Sequence, residues 1–307
     1  MQFRISYMTQ QQKIKAWAFL LPLTAVFIWS LNMTVNRYVA EFISPLSISF
    51  YRWVIAILVL TPFVLPKAIA EWAQIRPHLG QFAVLSAFGM LLYQGLAYSA
   101  AHFTSAMHMG LINAFIPIFT ILVGLMVLKV RPNACAIGGS VLSFIGLMLV
   151  ITQGNFQHLN TMGNSYIGDL LMLLAVFFYA CYGVYLKKWS LQTSLIVSLY
   201  VQICWALIFH IPLVLWQGLD TLNTHNWGSV IYAGLFPSIA APLFWMMAVK
   251  QLGPNRSSVF MNLMPIFTAC IAYFWLKESW TVYHSMGTGV ILMGIFLAQY
   301  MPKKKTD

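Results

Sequence analysis

The stretch that decides the fold is Pro117-Ile118-Phe119-Thr120, because the same four residues return as Pro265-Ile266-Phe267-Thr268, a shift of 148 positions. A shift of 148 or 150 also aligns glycine, proline and apolar residues elsewhere in the chain. These pairs are Leu128-Lys129 with Leu276-Lys277, Gly139 with Gly287, Gly146 with Gly294, Pro62 with Pro212, and Ala25-Val26-Phe27 with Ala175-Val176-Phe177. Identities at nearly one offset across most of a half predict an internal duplication, with repeats at 1–152 and 153–307.

The composition indicates which solvent surrounds the chain. Of its 307 residues, 60% are hydrophobic and only 7% are charged, whereas soluble domains carry about 25% charged residues. Soluble classes are therefore excluded, and the lipid bilayer is the expected partner. The formal charge of +11 is spread in ones, twos and threes between apolar runs. That spread is unlike a phosphate-binding patch, so no nucleic-acid partner is expected.

Ten apolar runs are long enough for spanning helices of about 20 residues. Short connections separate them, several with helix-ending signals such as Ser44-Pro45 and Arg131-Pro132. The first run lacks an A-x-A cleavage site, so it is expected to be a retained helix. The runs are 17–36, 46–66, 79–98, 103–128, 133–152, 167–186, 193–216, 227–249, 255–276 and 281–301. The sequence thus predicts an all-α membrane protein with ten transmembrane helices.

The basic residues predict the orientation. With the N-terminus in the cytoplasm, 14 of the 17 Lys and Arg residues fall in inside segments, and the outside loops hold only Arg37 and Lys277. Both termini are therefore expected in the cytoplasm. Each repeat has five helices, an odd number, so the second repeat enters the membrane from the opposite side. This inverted repeat predicts a substrate site between the halves and access that alternates between the two sides.

Paired motifs in the two halves resemble the drug/metabolite transporter superfamily, specifically its ten-helix EamA family. The matching elements span about 17–300 and are Trp29-Ser30-Leu31-Asn32, Phe50-Tyr51-Arg52, Asn113 to Pro117, Met264-Pro265, Leu276-Lys277-Glu278 and the glycines of runs 5 and 10. The resemblance implies a central cavity lined mainly by helices 1, 3, 4, 6, 8 and 9. It also implies export or exchange of amino acids or related metabolites at the inner membrane. Val130 departs from the pattern, because this family often has glutamate there, as the second repeat does at Glu278.

Arg52 is the costliest polar residue in the ten runs, because a charge at membrane depth must be satisfied locally or serve a function. It lies six residues into run 2, near the outer side, and Glu41 precedes that run. One interpretation is that Arg52 extends outward or pairs with Glu41. The other is that its planar guanidinium binds a substrate carboxylate.

Amide side chains and prolines form a second set of candidates. Asn32 and Asn36 lie four apart on one helical face. Pro117 removes the hydrogen bond to the carbonyl of Asn113, and Pro265 does the same for Met261, beside Asn262. Broken backbone at equivalent positions of two repeats is typical of a binding site, with the prolines as hinges. The alternative is that these amides hold helices together through hydrogen bonds.

Aromatic and titratable residues complete the candidate site. Cavity lining is expected from Tyr93, Gln94, Tyr179, Tyr182 and Trp245, although belt positions at the membrane interface also attract aromatic residues. Proton-coupling candidates are His108, His210 and Asp169. The alternatives for these three are a neutral histidine satisfied by a neighbouring helix and an acid that stabilises a helix N-terminus.

Several functions are disfavoured by what the sequence lacks. It has no HExxH motif, no paired aspartates for an intramembrane protease and no P-loop, so neither an enzyme nor an ATP-driven pump is expected. Its four cysteines form no CxxC pair, so no metal site is expected, and no cofactor is implied. The leading hypothesis is an exporter of amino acids or metabolites. A polyspecific drug exporter, a channel or receptor and a membrane enzyme remain as alternatives, and a homodimer is possible but not decidable.

Overall fold

A computed structural model of the chain describes residues 16–129, 134–155, 165–252 and 259–299, and within these ranges the regular structure is helical throughout. The first repeat contains α1 (Leu20–Val39), α2 (Pro45–Ala70), α3 (Trp72–Ile75), α4 (Leu79–Ser86), α5 (Tyr93–Ala100), α6 (Ala106–Asn113), α7 (Ile116–Leu128) and α8 (Ala134–Thr152). The second contains α9 (Ser165–Trp189), α10 (Leu195–Gln217), α11 (Trp227–Leu235), α12 (Ala241–Leu252), α13 (Met264–Ile271) and α14 (Val282–Gln299).

Seven helical segments among the described residues are long and apolar enough to cross a membrane. They are Trp17–Val39, Pro45–Ala70, Trp72–Ala100, Ala106–Leu128, Ser165–Trp189, Leu195–Gln217 and Trp227–Ala248. Three shorter apolar helices, Ile137–Thr152, Met264–Leu276 and Val282–Leu297, coincide with runs 5, 9 and 10. Large apolar side chains such as Phe63, Leu215 and Trp216 are 79–87% exposed, as expected for a surface that contacts lipid.

Two pairs of neighbouring helices are joined end to end through irregular turns. A π-helical turn, Ala87–Leu92, joins α4 to α5, and another, Phe236–Ala240, joins α11 to α12. A shift of 148 places the first turn on 235–240, so both repeats deviate from α-helical geometry at the same point. π-helical turns in an α-helix are frequent at functional sites, because they widen the helix and redirect side chains.

The two proline motifs mark a second symmetric break. Between α6 and α7 the helix is interrupted after Asn113, and Pro117 is the second residue of α7. Pro265 is likewise the second residue of α13, which follows a 3-10 turn at Val259–Leu263. Proline is well tolerated in the first turn of a helix, where its missing N–H has no partner in any case. The break in the helical backbone that the sequence predicts at each proline is therefore the start of a new helix.

Helices α8 and α14 cross closely at their glycines, and this crossing relates the two repeats. Ser143 donates to the carbonyl of Ile291 at 3.1 Å, and these two residues are equivalent under the 148 shift. On either side, a Cβ at Gly146 would lie 2.9 Å from the carbonyl oxygen of Gly287, and one at Gly294 would lie 2.5 Å from that of Gly139. Each of these contacts is the image of the other under the shift. Because equivalent residues of α8 and α14 meet where these antiparallel helices cross, the contacts fit a twofold axis that relates the two repeats and is perpendicular to the two helices.

Acidic side chains accept hydrogen bonds from backbone N–H groups at the N-termini of several helices. Glu278 accepts hydrogen bonds from the backbone N–H groups of Ala106 and Met107, at 2.8 and 3.0 Å, at the start of α6. Glu71 accepts from the N–H of Ser194 before α10, and Asp220 accepts from that of Ser44 before α2. Carboxylates at helix N-termini satisfy unpaired N–H groups and favour the helix dipole. The family glutamate of the second repeat therefore serves as a cap, whereas Val130 lies outside the described residues.

The Gly294 contact generates a stability prediction. Gly294→Ala should lower the free energy of unfolding by about 1–3 kcal/mol, because the added methyl group meets backbone and must separate α8 from α14. Gly289→Ala, in the same helix but with nothing within 4 Å of the new Cβ, is the matched control and should leave stability unchanged or raise it. Thermal unfolding of the purified proteins in detergent checks this. Equal loss in both variants would contradict the close crossing.

Candidate functional site

A cavity of about 420 Å³ lies between the two repeats, within the range of roughly 300–1,000 Å³ of small-molecule sites. Its wall includes seven of the residues that the sequence predicts for substrate binding: Asn32, Arg52, Tyr93, Gln94, Tyr179, Tyr182 and Trp245. The family resemblance implied a cavity lined mainly by the helices of runs 1, 3, 4, 6, 8 and 9, and this set is incomplete. Side chains of α2 and α10 also contribute: Arg52, Trp53, Leu195, Ser198, Leu199 and Gln202.

The irregular turns form two sides of the cavity. Gly89 and Met90 in the first π-helical turn and Pro237 and Ser238 in the second all belong to its wall. Gly89 is required by a close approach, because a Cβ there would lie 2.8 Å from Cδ2 of Tyr182. Irregular backbone at membrane depth is tolerated where it is buried in protein or lines a cavity, and residues of both turns line this one.

Arg52 forms the most polar part of the wall and is 1% exposed. Its Nε and Nη2 donate to Oγ of Ser238 at 3.0 and 2.7 Å. Its Nη1 donates to Oε1 of Gln94 at 2.8 Å and to Oη of Tyr98 at 2.9 Å. The guanidinium carbon also lies 4.7 Å from the ring centroid of Trp53. Helix α2, the π-helical turn before α12, and α5 are thus joined through one cation.

The interpretation that Arg52 extends outward or pairs with Glu41 is wrong. Glu41 lies 3.8 Å from Arg37 instead, one helical turn away and largely exposed. Arg52 points away from that pair because it lies on the buried face of α2, together with Trp53 and Ala56. Sequence proximity between the two charges therefore does not correspond to contact.

The remaining polar candidates on the wall belong to a connected set of rings and amides. Tyr93 donates to Oδ1 of Asn113 at 3.2 Å, and the Tyr93 and Tyr179 ring centroids are 4.7 Å apart. On the opposite side, the Trp245 ring packs 5.7 Å from Trp29, whose indole N–H donates to the carbonyl of Pro237 at 3.4 Å. Asn113 thus supports a lining residue without lining the cavity itself.

Asn32 and Asn36 differ in their surroundings although both are buried. Asn32 lines the cavity and its Oδ1 has no hydrogen-bond partner. Asn36, one turn further along α1 and 1% exposed, lies outside the cavity, and neither its Oδ1 nor its Nδ2 has a partner. The Asn262 side chain lies outside the described part of the chain. Its neighbours Met261 and Met264 line the cavity.

The proton-coupling candidates lie away from the cavity. Asp169, 2% exposed, accepts from Thr104 at 2.5 Å and lies 3.2 Å from Nδ1 of His108. Asp169 is in the first turns of α9, so both alternatives for it remain compatible with its position. His210 is satisfied by the carbonyl of Ala206 at 2.7 Å and by Oγ of Ser49 at 3.0 Å. These bonds match a neutral imidazole with one donor and one acceptor nitrogen.

The polar lining residues that sequence reasoning misses include Gln202 and Ser238. Gln202 carried a detectable signal, since it lies 150 positions after Arg52 and so occupies the same place in the second repeat. Ser238 carried none, because a serine in an apolar run is common in packed helices. The two repeats thus contribute a cation and a neutral amide at equivalent positions.

Comparison with known proteins agrees with this architecture. The model of the EamA-like transporter family matches the chain twice, at residues 16–152 and 166–300. The chain belongs to the EamA-like transporter family. The chain is 24% identical over 271 residues to the uncharacterized transporter YyaM of Bacillus subtilis (strain 168), covering 87% of this chain and 88% of the relative.

Two further matches concern a named exporter and a solved structure. A protein of Streptantibioticus cattleyicolor described as a probable terminal-alkyne amino-acid exporter is 25% identical over 269 residues, covering 82% of this chain and 86% of that protein. A solved crystal structure superimposes with a TM-score of 0.61 at 14% identity, over 92% of this chain and 96% of that one. At that identity, the similarity supports the fold alone.

Gly89 provides a test of the cavity wall in this EamA-like transporter. Gly89→Ala should reduce substrate flux in proteoliposomes about tenfold, because the new methyl group displaces the Tyr182 ring. Gly95→Ala, with nothing within 4 Å of its Cβ, is the matched control and should transport normally. Normal flux in the Gly89 variant would show that this part of the wall does not contact the substrate.

Proposed function

We propose that this protein is a secondary transporter that exports or exchanges small metabolites, with amino acids or related compounds the favoured substrates. The observation that carries the proposal is the cavity whose wall is built from symmetry-related irregular helices of both repeats. Binding sites of transporters with inverted repeats lie at such positions, where helix breaks expose backbone and side-chain polar groups. The family match supports a transporter and leaves the substrate open.

Contacts between connections support ten crossings that alternate in direction. One end of the molecule brings together Phe19 with Phe260 and Glu71 with Ser194. The other end brings together Ser44 with Asp220, Ala106 with Glu278, and Thr104 with Asp169. If the chain crosses the membrane ten times in alternating directions, the two residues of each pair fall on the same side of it. We infer two five-helix repeats of opposite orientation, at 1–152 and 153–307.

Charge supports an orientation with the first of these ends in the cytoplasm. The connections there carry Lys67, Arg76, Lys129, Lys187 and Lys188. The opposite end carries four of the six acids in the chain, namely Glu41, Asp169, Asp220 and Glu278. By the positive-inside rule both termini would be cytoplasmic, in the inner membrane of the cell.

The cavity is closer to the proposed cytoplasmic end. Leu186 and Leu195 flank the connection from α9 to α10 and line the cavity, and Leu195 is 60% exposed. The lining residues Leu186, Met246 and Met261 have equivalents in the first repeat, 150 positions earlier for Leu186 and 148 positions earlier for the two methionines. These equivalents, Asn36, Tyr98 and Asn113, lie towards the opposite end. Those three are 1–2% exposed. We infer an inward-facing state, in which the equivalent outward entrance is closed.

Alternation between two such states explains the isolated amide of Asn36. Movement of the repeats that closes the inner entrance would open the symmetry-related outer one and expose Asn36 to the substrate path. At that end Arg37 donates a hydrogen bond to the carbonyl of Ala101, at 3.3 Å, which joins the end of α1 to the α5–α6 connection. A compound loaded from the cytoplasm would then leave on the far side, which is the export direction.

The amino-acid substrate class is supported by one relative, which is described as a probable terminal-alkyne amino-acid exporter. The cavity has the mixed character that such a compound requires, with Arg52 and Asn32 near aromatic and methionine side chains. Proteoliposome flux separates the alternatives. Saturable uptake with counterflow supports a carrier, ohmic current without saturation would show a channel, and turnover without flux would show an enzyme.

Two variants test the site against the lipid-facing surface. Trp245→Ala should lower flux at least tenfold by removing an aromatic wall of the cavity, and Asn32→Ala should lower it as well. Trp216→Ala is the matched control, since Trp216 is 87% exposed on the outer face of α10. Expression and thermal stability are measured alongside. Normal flux in both cavity variants would remove the site assignment and leave the fold in place.

A further inference from the structure

In the ranges that the structure describes, the charge of Arg52 has no counter-ion. Its four hydrogen bonds go to the hydroxyl or amide oxygens of Ser238, Gln94 and Tyr98, all of them neutral. In the described part of the chain, no carboxylate lies within 4.0 Å of it. The five described acids have partners at the ends of the molecule: Glu41 with Arg37, Glu71 with Ser194, Asp169 with His108 and Thr104, Asp220 with Ser44, and Glu278 with Ala106.

A buried cation with neutral partners alone is costly. Hydrogen bonds and aromatic faces replace part of the hydration that the guanidinium loses, but they do not neutralise its charge. A buried charge is ordinarily paired, and removing one member of such a pair leaves an uncompensated charge that is strongly unfavourable. Arg52 is placed so that an anion entering the cavity would complete the pair, because Arg52 itself forms part of the wall.

The guanidinium retains the geometry needed for that anion. Arginine has five N–H donors, and the four hydrogen bonds described leave one N–H of Nη2 available. Gln94 also lines the cavity, so its bond to Nη1 can be exchanged for one to a ligand. Two N–H groups on one side of an arginine match the two oxygens of a carboxylate.

We propose that the transported compound carries a single carboxylate that binds Arg52, with an apolar or aromatic body against the rest of the wall. This inference rests on the proposed function and specifies its substrate class. A doubly charged phosphate fits less well, because Arg52 is the only charged residue among the described residues that line the cavity. An amino group on the same compound would meet Oδ1 of Asn32 and the faces of Tyr179 and Tyr182, since no acid is among the lining residues that the structure describes.

The test compares carboxylates with their primary amides. Purified protein is titrated in thermal-shift and proteoliposome counterflow assays with the common amino acids and with phenylacetate, each paired with its amide. For at least one pair, wild type should prefer the carboxylate by about 10- to 100-fold, the range expected for hydrogen bonds to a charged group. Arg52→Gln should bring that ratio close to one.

Two further variants separate substrate binding from a purely structural role of Arg52. Tyr98→Phe removes the acceptor of one Arg52 hydrogen bond but keeps the charge, and Tyr98 is not a lining residue, so the carboxylate preference should persist even where stability falls. Arg52→Lys keeps the charge without the planar fork, so the preference should fall about threefold but remain above one. If Arg52→Gln does not fold, wild type and Arg52→Lys decide the question.

The outcomes distinguish this inference from the proposed function. A wild type that shows saturable flux but prefers no carboxylate over its amide overturns the inference and leaves the carrier in place. An undiminished preference in Arg52→Gln, or in Arg52→Lys where Arg52→Gln does not fold, does the same. Absence of saturable flux for every compound would instead overturn the proposed function.

Discussion

The hydrogen bonds of the backbone constrain this structure more than any other interaction. In lipid every N–H and C=O must find a partner within the protein, so a helix can become irregular only where other protein or a cavity covers it. One π-helical turn, Ala272–Leu276, has no residue in the cavity wall. Beside the cavity, the helices deviate from α-helical geometry at Ala87–Leu92 and Phe236–Ala240, and they begin anew at Ile116 and Met264. These points are equivalent in the two repeats, and residues at each of them line one cavity.

The scaffold is symmetric but the chemistry of the cavity is not. The close glycine crossing of α8 and α14 relates the repeats by a shift of 148, and Ser143 meets its own equivalent, Ile291, there. At the level of the cavity, however, Arg52 in one repeat corresponds to Gln202 in the other. A symmetric scaffold can offer two entrances of similar shape at opposite ends, while a single cation would give an anionic compound one orientation.

The sequence predicts the helical fold well, because apolar runs and repeated Pro and Gly positions report directly on burial and backbone geometry. It predicts seven of the cavity-lining residues, because polar side chains at membrane depth are few. It fails where tertiary packing decides. The pairing of Arg52 with Glu41 was wrong because the rotation of α2 about its axis sets which face is buried. The π-helical turns and Ser238 carry no local signal, since they depend on neighbouring helices.

The central claim is that the two ends of the molecule open in alternation around this cavity. Pulsed electron spin distances test it most directly, with labels at Gln192 and Gln251 across the proposed inner entrance and at Glu41 and His102 across its equivalent at the other end. Cys135, Cys181, Cys204 and Cys270 are replaced beforehand. A transported compound should shorten one distance while it lengthens the other. Two distances that change in the same direction, or neither changing during saturable flux, would contradict the account.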